Sequence, residues 1–202
     1  IVARGAAVTR RIIACRVFED ALRFLEIPRR FPDLQIQYLP AHLHLRPDEL
    51  RQRISLEIAE AHRRKERACC LFGQCFPGID TALHGLSVPR IACSHCFEIF
   101  LGTERYRQMT EAVPGSFFLE KRLLLNFDEY CWQPLELYDP MMRSWYFEHY
   151  RRVIYIRQPL DPDLMDQARH VASRLSLSLH VEDADYTELE AKLVSMLETD
   201  GF

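Results

Sequence analysis

Short apolar runs recur along the chain and are separated by longer stretches of helical periodicity. Each run is rich in β-branched, aromatic or other apolar residues and is bounded by polar residues, proline or glycine, as strands are. Seven such runs predict strands: Arg11–Cys15, Leu34–Leu39, Arg67–Phe72, Arg90–Cys93, Ser116–Leu119, Arg152–Ile156 and Leu177–Val181.

Helical spacing of apolar residues fills most of the intervals between these runs. In the longest helical stretch, Leu50, Ile54, Ile58 and Ala61 share one face. The predicted helices are Phe18–Ile27 (stopped by Pro28), Pro47–Lys65, Ile79–Leu86, Phe97–Glu111, Pro162–Arg174 and Tyr186–Leu197. Strands that alternate with helical crossovers pair in parallel, so the pattern predicts an α/β three-layer sandwich with a mostly parallel sheet and Rossmann-like or flavodoxin-like halves.

The segment 121–150 breaks this alternation because it is rich in aromatic residues and interrupted by Pro134 and Pro140. We interpret it as one or two helices and a loop, inserted between the two sheet portions and packed on the sheet or on a partner. A chain of 202 residues suits one domain, 1–202, or a tightly fused pair of half-domains. We favour the single α/β domain, with a homo-oligomer as one use of the aromatic insert.

Composition narrows the class of protein. A net charge of −3 lacks the basic footprint of nucleic-acid binders, and no run of about 18 apolar residues predicts a membrane helix. Residues 1–9 are too short and too weakly apolar for a secretory signal. Because no secretory signal is predicted, the seven cysteines, an odd number, favour a reducing cytoplasm. There cysteines serve as ligands, nucleophiles or core residues.

Candidate chemistry centres on the stretch Arg90–Gly102, which contains Cys93, His95 and Cys96 in a Cys-x-x-Cys pattern. Cys15 ends the first predicted strand, and Cys75 follows the third. If the strand order begins 2-1-3-4, these cysteines meet at the carboxyl edge of the sheet, where α/β proteins bind ligands. Helix N-termini at that edge would also lower the pKa of the thiols.

The donor set indicates a metal. Three thiolates with an imidazole from His95 or His44 suit tetrahedral zinc, and three thiolates with an open position suit a [4Fe–4S] cluster or a catalytic zinc. Cys93 is either a ligand or the last residue of a strand. A redox role for the Cys-x-x-Cys pair ranks lower, because the thioredoxin context is absent. Cys69, Cys70 and Cys131 are interpreted as small core residues.

Other polar residues near the cysteines admit two interpretations each. His42 and His44 either line the same edge or cap the helix that follows them. Asp80 and Glu98 either support the ligands or complement a helix dipole. The loop Gly73–Gly78 matches neither a phosphate-binding loop nor a dinucleotide fingerprint, which disfavours nucleotide binding.

Four motifs carry a resemblance to a known family: Arg11–Phe18, Leu43–Pro47, Leu71–Cys75 and Cys96–Tyr106. In order and spacing they resemble the bacterial and archaeal proteins grouped as domain of unknown function 1638. The resemblance implies a cytoplasmic α/β protein with cysteines at the positions of Cys15, Cys75 and Cys96 and a histidine at that of His44. It also implies a link to corrinoid-dependent methyl transfer in one-carbon metabolism, with a small molecule or a corrinoid methyltransferase component as partner.

The chain departs from the family pattern at three places. Ser94-His95 replaces His-Asp before Cys96, Phe76–Gly78 replaces a glycine-rich run, and Glu120–Arg122 replaces a Thr-Pro-Gly turn. The fourth ligand therefore stays open among His95, Cys93 and His44.

Three hypotheses for function follow from these residues. The first is a metal-binding protein with a cysteine-ligated zinc or iron–sulfur site that assists methyl transfer. The second is a metal-free enzyme with Cys75 or Cys96 as a low-pKa nucleophile. The third is a non-catalytic interaction or dimerisation protein that uses the aromatic segment.

Overall fold

The computed structural model describes residues 9–198, so the secretory-signal expectation for residues 1–9 lies almost wholly outside the described residues. Two compact units make up this part of the chain. The first contains residues 9–96 and 189–198, and the second contains residues 97–188. The expectation of a single domain, 1–202, stays a prediction.

The first unit is built on a three-stranded parallel sheet. Its strands are β1 (Arg10–Cys15), β2 (Leu34–Leu39) and β3 (Arg67–Leu71), in the order β2-β1-β3. Ile12, Ile13 and Ala14 of β1 are all fully buried, although successive side chains point to opposite faces of a sheet. Both faces of the central strand are therefore covered, as the prediction of a layered parallel α/β fold requires.

Helices cover this sheet, and the longest does so through the face expected from the sequence. Between residues 9 and 95 the helices are α1 (Glu19–Phe24), α2 (Ile27–Arg30), α3 (Pro47–Arg63) and α4 (Ile79–His84), with 3₁₀ turns at Arg16–Phe18 and Ala41–Leu45. Leu50, Ile54, Ile58 and Ala61 of α3 are buried in one core cluster that also contains Ile13 of β1. The apolar periodicity of this helix is confirmed.

The predicted helix Phe18–Ile27 is shorter than expected. Glu26 adopts a left-handed conformation (φ 52°) and separates α1 from α2. A residue with positive φ cannot continue a right-handed helix, so α1 ends before it. Pro28 lies in the first turn of α2, where its missing N–H leaves no helical hydrogen bond unmade, and it does not end a helix.

The predicted strand Arg90–Cys93 is wrong in length. Only Arg90 forms a parallel bridge, with Cys70 of β3, although its position confirms the expected order 2-1-3-4. Beyond that bridge, the carbonyl of Phe72 accepts hydrogen bonds from the side chains of Arg90 and Cys93. Side-chain donors thus occupy the acceptor that a longer β-ladder would have used.

The second unit repeats the parallel arrangement. Its strands are β4 (Ser116–Leu119), β5 (Arg152–Arg157) and β6 (Ser178–Asp183), in the order β4-β5-β6, and β5 is fully buried from Val153 to Ile156. The helices that follow α4 in the chain are α5 (Cys96–Leu101), α6 (Thr103–Ala112), α7 (Lys121–Leu125), α8 (Pro140–Phe147), α9 (Met165–Arg174) and α10 (Thr187–Glu198). The α/β class with parallel sheets is confirmed.

Gly102 divides the predicted helix Phe97–Glu111 into α5 and α6. Its φ of 81° and ψ of 148° place it in a region that side chains with a Cβ rarely adopt. The carbonyl of Phe100 then accepts a hydrogen bond from the N–H of Asp185, outside the helix. The glycine therefore acts as a helix break that apolar periodicity alone does not reveal.

The aromatic segment 121–150 connects β4 to β5, which are neighbours in one sheet, rather than joining two sheet portions. It contains α7, a π-helical turn at Asp128–Trp132 and α8, in agreement with the expected helices and loop. The guanidinium of Arg174 lies 3.6 Å from the ring centroid of Trp132, a cation–π contact that fixes the segment to α9. No helix within residues 9–198 is long and apolar enough to cross a membrane.

Candidate functional site

The strand order places the candidate cysteines at one edge of the first sheet. β1 connects along the chain to β2 on one side, whereas β3 lies on its other side. The gap between the carboxyl ends of β1 and β3 is therefore a topological switch point, where open parallel sheets bind their ligands. Cys15 ends β1, and Cys75 lies four residues beyond the end of β3.

Cys15 and Cys75 are both half-buried beside the same core cluster, which includes Phe72 and Phe76. Ala14 of β1 pairs with Leu71 of β3. Cys15 is therefore level with the first residue after β3, at the start of the loop that carries Cys75.

A close backbone contact joins the loop of Cys75 to the loop of Cys96. The N–H of Gln74 donates to the carbonyl of Ser94 at 3.0 Å. A Cβ placed on Gly73 would lie 3.1 Å from both the backbone nitrogen of Cys96 and the Cα of His95. Glycine at this position lets the two loops touch.

The side chain of Arg90 contacts both of these loops, and sequence analysis did not identify it as a site residue. Its side chain is only 4% exposed and forms an ion pair with Asp80 at 2.7 Å. The same guanidinium donates to the carbonyls of Phe72 (2.7 Å) and Cys93 (3.2 Å) and lies 3.7 Å from the sulfur of Cys93. The only sequence signal was an arginine directly after Pro89, with an acidic residue ten positions earlier.

Cys93 is buried, and its thiol donates to the carbonyl of Phe72 at 3.4 Å. In this structure it therefore ties the end of β3 to the loop of Cys96. Cys93 was interpreted as either a ligand or the last residue of a strand. It is not a strand residue, and its sulfur lies beside the guanidinium of Arg90.

The expected lowering of thiol pKa is wrong for Cys75. Burial raises the pKa of this thiol, while the backbone of Gly73 and the charge of Arg90 act in the opposite direction. Desolvation disfavours the charged thiolate more than these partners favour it. The helices α4 and α5, expected to supply a dipole, have only six residues each.

The candidate histidines stay near the surface. Nδ1 of His44 contacts the carbonyl of Ala41 at 2.6 Å, so this nitrogen carries the proton and the side chain closes its own 3₁₀ turn. His95 is exposed, and His42 is half-buried.

The side chains do not form a ready ligand group in this structure. Among residues 9–198, no three histidine, cysteine, aspartate or glutamate side chains are arranged to hold a metal ion. The sulfur donors of Cys15, Cys75 and Cys96 fit a soft cation chemically, and their loops share one edge. A metal would therefore require these side chains to reorient as it binds.

The remaining cysteines are core residues, as expected. Cys69 and Cys70 are fully buried in β3, and burial raises the pKa of Cys70 to about 12. Cys131 is buried in the core of the second unit, and burial raises its pKa to about 11. Of the two acidic residues considered near the cysteines, Asp80 pairs with Arg90, and Glu98 accepts a hydrogen bond from the hydroxyl of Thr103.

A buried polar cluster lies at the carboxyl edge of the second sheet, and sequence analysis missed it. Asp161 accepts hydrogen bonds from the hydroxyl of Tyr155 (2.7 Å) and the N–H of Gln158 (2.9 Å), and Gln158 accepts one from Tyr186. Glu120, at the end of β4, is 3% exposed. The Glu-Lys-Arg sequence after β4 gave no sign of burial, because charged residues in turns are usually exposed.

Comparison with known proteins gives one match. The model of a family described as "Protein of unknown function (DUF1638)" matches residues 38–193, a range that includes Cys75, Cys93, Cys96 and His44 but not Cys15. No curated protein and no solved structure matches the chain. Because the matched range covers well over half of the chain, the protein belongs to the DUF1638 family.

Proposed function

We propose that this protein binds a metal through the thiolates of Cys15, Cys75 and Cys96, in the cytoplasm, and assists methyl or alkyl transfer. The observation that carries the proposal is the strand order: β1 and β3 are neighbours and Arg90 bridges to β3, so the three cysteine loops follow adjacent positions along one edge of the sheet, beside a switch point. The contact at Gly73 supports it, because it holds the loops of Cys75 and Cys96 together.

The ligand set suits either zinc or a [4Fe–4S] cluster. A zinc ion with an open position would supply Lewis acidity, which lowers the pKa of a bound thiol for attack on a methyl carbon. The chain itself supplies three sulfur donors, shields Cys75 partly from water and places a guanidinium beside Cys93. The fourth ligand would be Cys93, His95 or His44.

The link to methyl transfer rests on the family resemblance. In this proposal the partner is a small molecule or a corrinoid methyltransferase component. A zinc ion would activate a thiol for that partner, whereas an iron–sulfur cluster would carry an electron to it.

Metal analysis with a visible spectrum, on protein purified anaerobically without a metal resin, tests the proposal. We expect either about one zinc per chain or a brown protein with the broad absorbance of an iron–sulfur cluster. The variant Cys96→Ser is expected to lose the metal, whereas Cys131→Ser, which removes a buried cysteine of the second unit, is expected to keep it. Full retention of metal in Cys96→Ser would contradict the site.

Protein without metal, together with fast alkylation of Cys96 alone, would favour the metal-free nucleophile instead. The raised pKa of Cys75 already counts against that residue as the nucleophile, since the thiol and not the thiolate predominates.

An interaction role has its own observation. Met141 and Trp145 lie one turn apart on α8 and are 73% and 68% exposed, and Tyr138 before the helix is 56% exposed. Exposed apolar residues in a group favour association with another protein surface, including a second copy of the chain. Replacing Met141 and Trp145 with serine is expected to lower the sedimentation coefficient if this face forms a homo-oligomer. An unchanged coefficient and unchanged partner binding would contradict it.

A further inference from the structure

Arg90 connects three separate pieces of chain at the cysteine edge. Its guanidinium donates to the carbonyl of Phe72, the first residue after β3, and to that of Cys93, in the loop before α5. It also forms an ion pair with Asp80 in α4. One planar group thus fixes the loop that leads to Cys75 and the loop that leads to Cys96.

The buried guanidinium of Arg90 is paired with a carboxylate that is itself exposed. The Arg90 side chain is 4% exposed, while that of its counter-ion, Asp80, is 61% exposed. A buried cation is costly unless nearby negative charge and hydrogen bonds offset its desolvation. Besides the carboxylate and the carbonyls, the sulfur of Cys93 lies 3.7 Å from this cation.

We propose that Arg90 is a positioning residue of the cysteine site: it sets the separation of the Cys75 and Cys96 loops and supplies positive charge beside the sulfur of Cys93. The inference rests on the proposed metal site. A guanidinium suits the role because it donates in a fixed plane to several acceptors, whereas a lysine ammonium is a point charge on a flexible stem.

The variant Arg90→Lys keeps the charge and removes the planar geometry. Arg11→Lys is a matched control, because Arg11 lies in β1 of the same sheet. Its side chain is 7% exposed and ion-paired with Glu66 at 2.7 Å. Both variants lose a buried guanidinium, so a merely structural role predicts the same behaviour in both.

Metal affinity, measured for zinc or iron by competition with a chelator, separates the two roles. We expect about a 10- to 100-fold loss of affinity in Arg90→Lys, the range found for residues that orient metal ligands. The control Arg11→Lys is expected to stay within a few-fold of the wild-type affinity. Equal affinities in the two variants would overturn the positioning role.

A second readout does not depend on the metal. In metal-free protein, the alkylation rates of Cys75, Cys93 and Cys96 by iodoacetamide are read separately by mass spectrometry. Arg90→Lys is expected to change the rates of all three relative to wild type, while Arg11→Lys leaves them unchanged. If the wild type holds no metal but the rates change, the metal site fails and the positioning role stands. Unchanged rates in Arg90→Lys would overturn the positioning role on their own.

Asp80→Asn keeps the inference testable if Arg90→Lys does not fold. This substitution removes the ion pair but leaves the guanidinium and its carbonyl acceptors in place. We expect a few-fold change in metal affinity or in cysteine alkylation rates. No change in either would mean that the orientation of Arg90 does not matter to the cysteine loops.

Discussion

Glu120 is a buried carboxylate that caps α7. Its two oxygens accept the N–H groups of Arg122 and Leu123 at 2.8 and 2.7 Å. Burial raises its pKa from 4.5 to about 7, and the negative charge of Asp161 adds to this, while the backbone bonds and the charge of Arg122 oppose it. At neutral pH the folded protein therefore holds a proton on this group more tightly than the unfolded chain does.

The consequence is a pH-dependent stability with a defined sign. Because the folded pKa is raised, the unfolded state binds fewer protons between pH 4.5 and about 7, and the free energy of unfolding falls as pH rises through that window. At about 1.4 kcal/mol per pKa unit, the loss is about 3 kcal/mol. Glu120→Gln is expected to remove this slope, at a cost of about 1 kcal/mol from one lost capping bond.

Urea unfolding followed by tryptophan fluorescence measures this slope in the right place, because Trp132 and Trp145 both lie in the second unit. Glu148→Gln, at an exposed position of the same unit, serves as the control and should keep the wild-type slope. The same slope in Glu120→Gln as in wild type would mean that Glu120 titrates normally.

Gly73 is expected to tolerate a methyl group poorly. An added Cβ would lie 3.1–3.2 Å from backbone atoms of His95 and Cys96, so the two cysteine loops must separate by a few tenths of an ångström. Gly73→Ala is therefore expected to lower metal affinity by roughly tenfold, as the loss of outer-shell support does. Gly85→Ala is the control, because its Cβ would lie at least 3.5 Å from other atoms. Equal metal affinity in both variants, by chelator competition, would contradict the need for close loop contact.

At this scale, sequence located the cysteines well and the charges poorly. Apolar patterning reveals strand ends directly, so it predicts that Cys15 ends β1 and that Cys75 follows β3. Arg90 and Glu120 were not identified, because their burial depends on tertiary contacts with residues far along the chain. A charged residue is expected to be exposed until those contacts are known.

At the scale of elements, α3 provides the clearest test of the apolar pattern. Ile54 is 1% exposed in the core, and Leu56, two residues further along the same helix, is 63% exposed. Ile54→Ala is expected to lower the free energy of unfolding by about 2–5 kcal/mol, because it removes buried methyl groups and leaves a cavity. Leu56→Ala should change it by about 0.5 kcal/mol or less. Urea unfolding followed by circular dichroism measures the free energy of unfolding of both variants. Similar losses in the two would mean that the face of α3 that contains Ile54 is not the buried one.

Helix α3 was predictable because its pattern is long and amphipathic, whereas the errors fell where single residues override a pattern. Gly102 ends α5 through its backbone conformation, and Glu26 ends α1 in the same way. The strand expected at Arg90 is reduced to one bridge because the side chains of Arg90 and Cys93 take the carbonyl of Phe72. Apolar spacing carries no information about such backbone or side-chain competition.

At the scale of the whole molecule, residues 9–198 form two compact units, each with its own parallel sheet and buried core. The cysteine loops belong to the first unit, and the Glu120 cluster belongs to the second. Sequence periodicity predicted the strands of both sheets, yet it placed the aromatic segment at their boundary, because prolines and aromatic residues mark an interruption without saying which strands pair across it.

Hydrogen exchange of the metal-loaded and metal-free protein tests which of the two units the metal stabilises. A ligand stabilises the state that binds it, so at 100 times its Kd a metal would slow exchange by about 100-fold in amides that open only when the site is lost. We expect that slowing in β1, β2, β3 and the cysteine loops, and little change in β4, β5 and β6, measured by mass spectrometry of peptic fragments. Equal slowing in all six strands would mean that the two units unfold together and that the chain behaves as the single domain expected from its length. Slowing confined to the second unit would contradict a metal site at the cysteine edge.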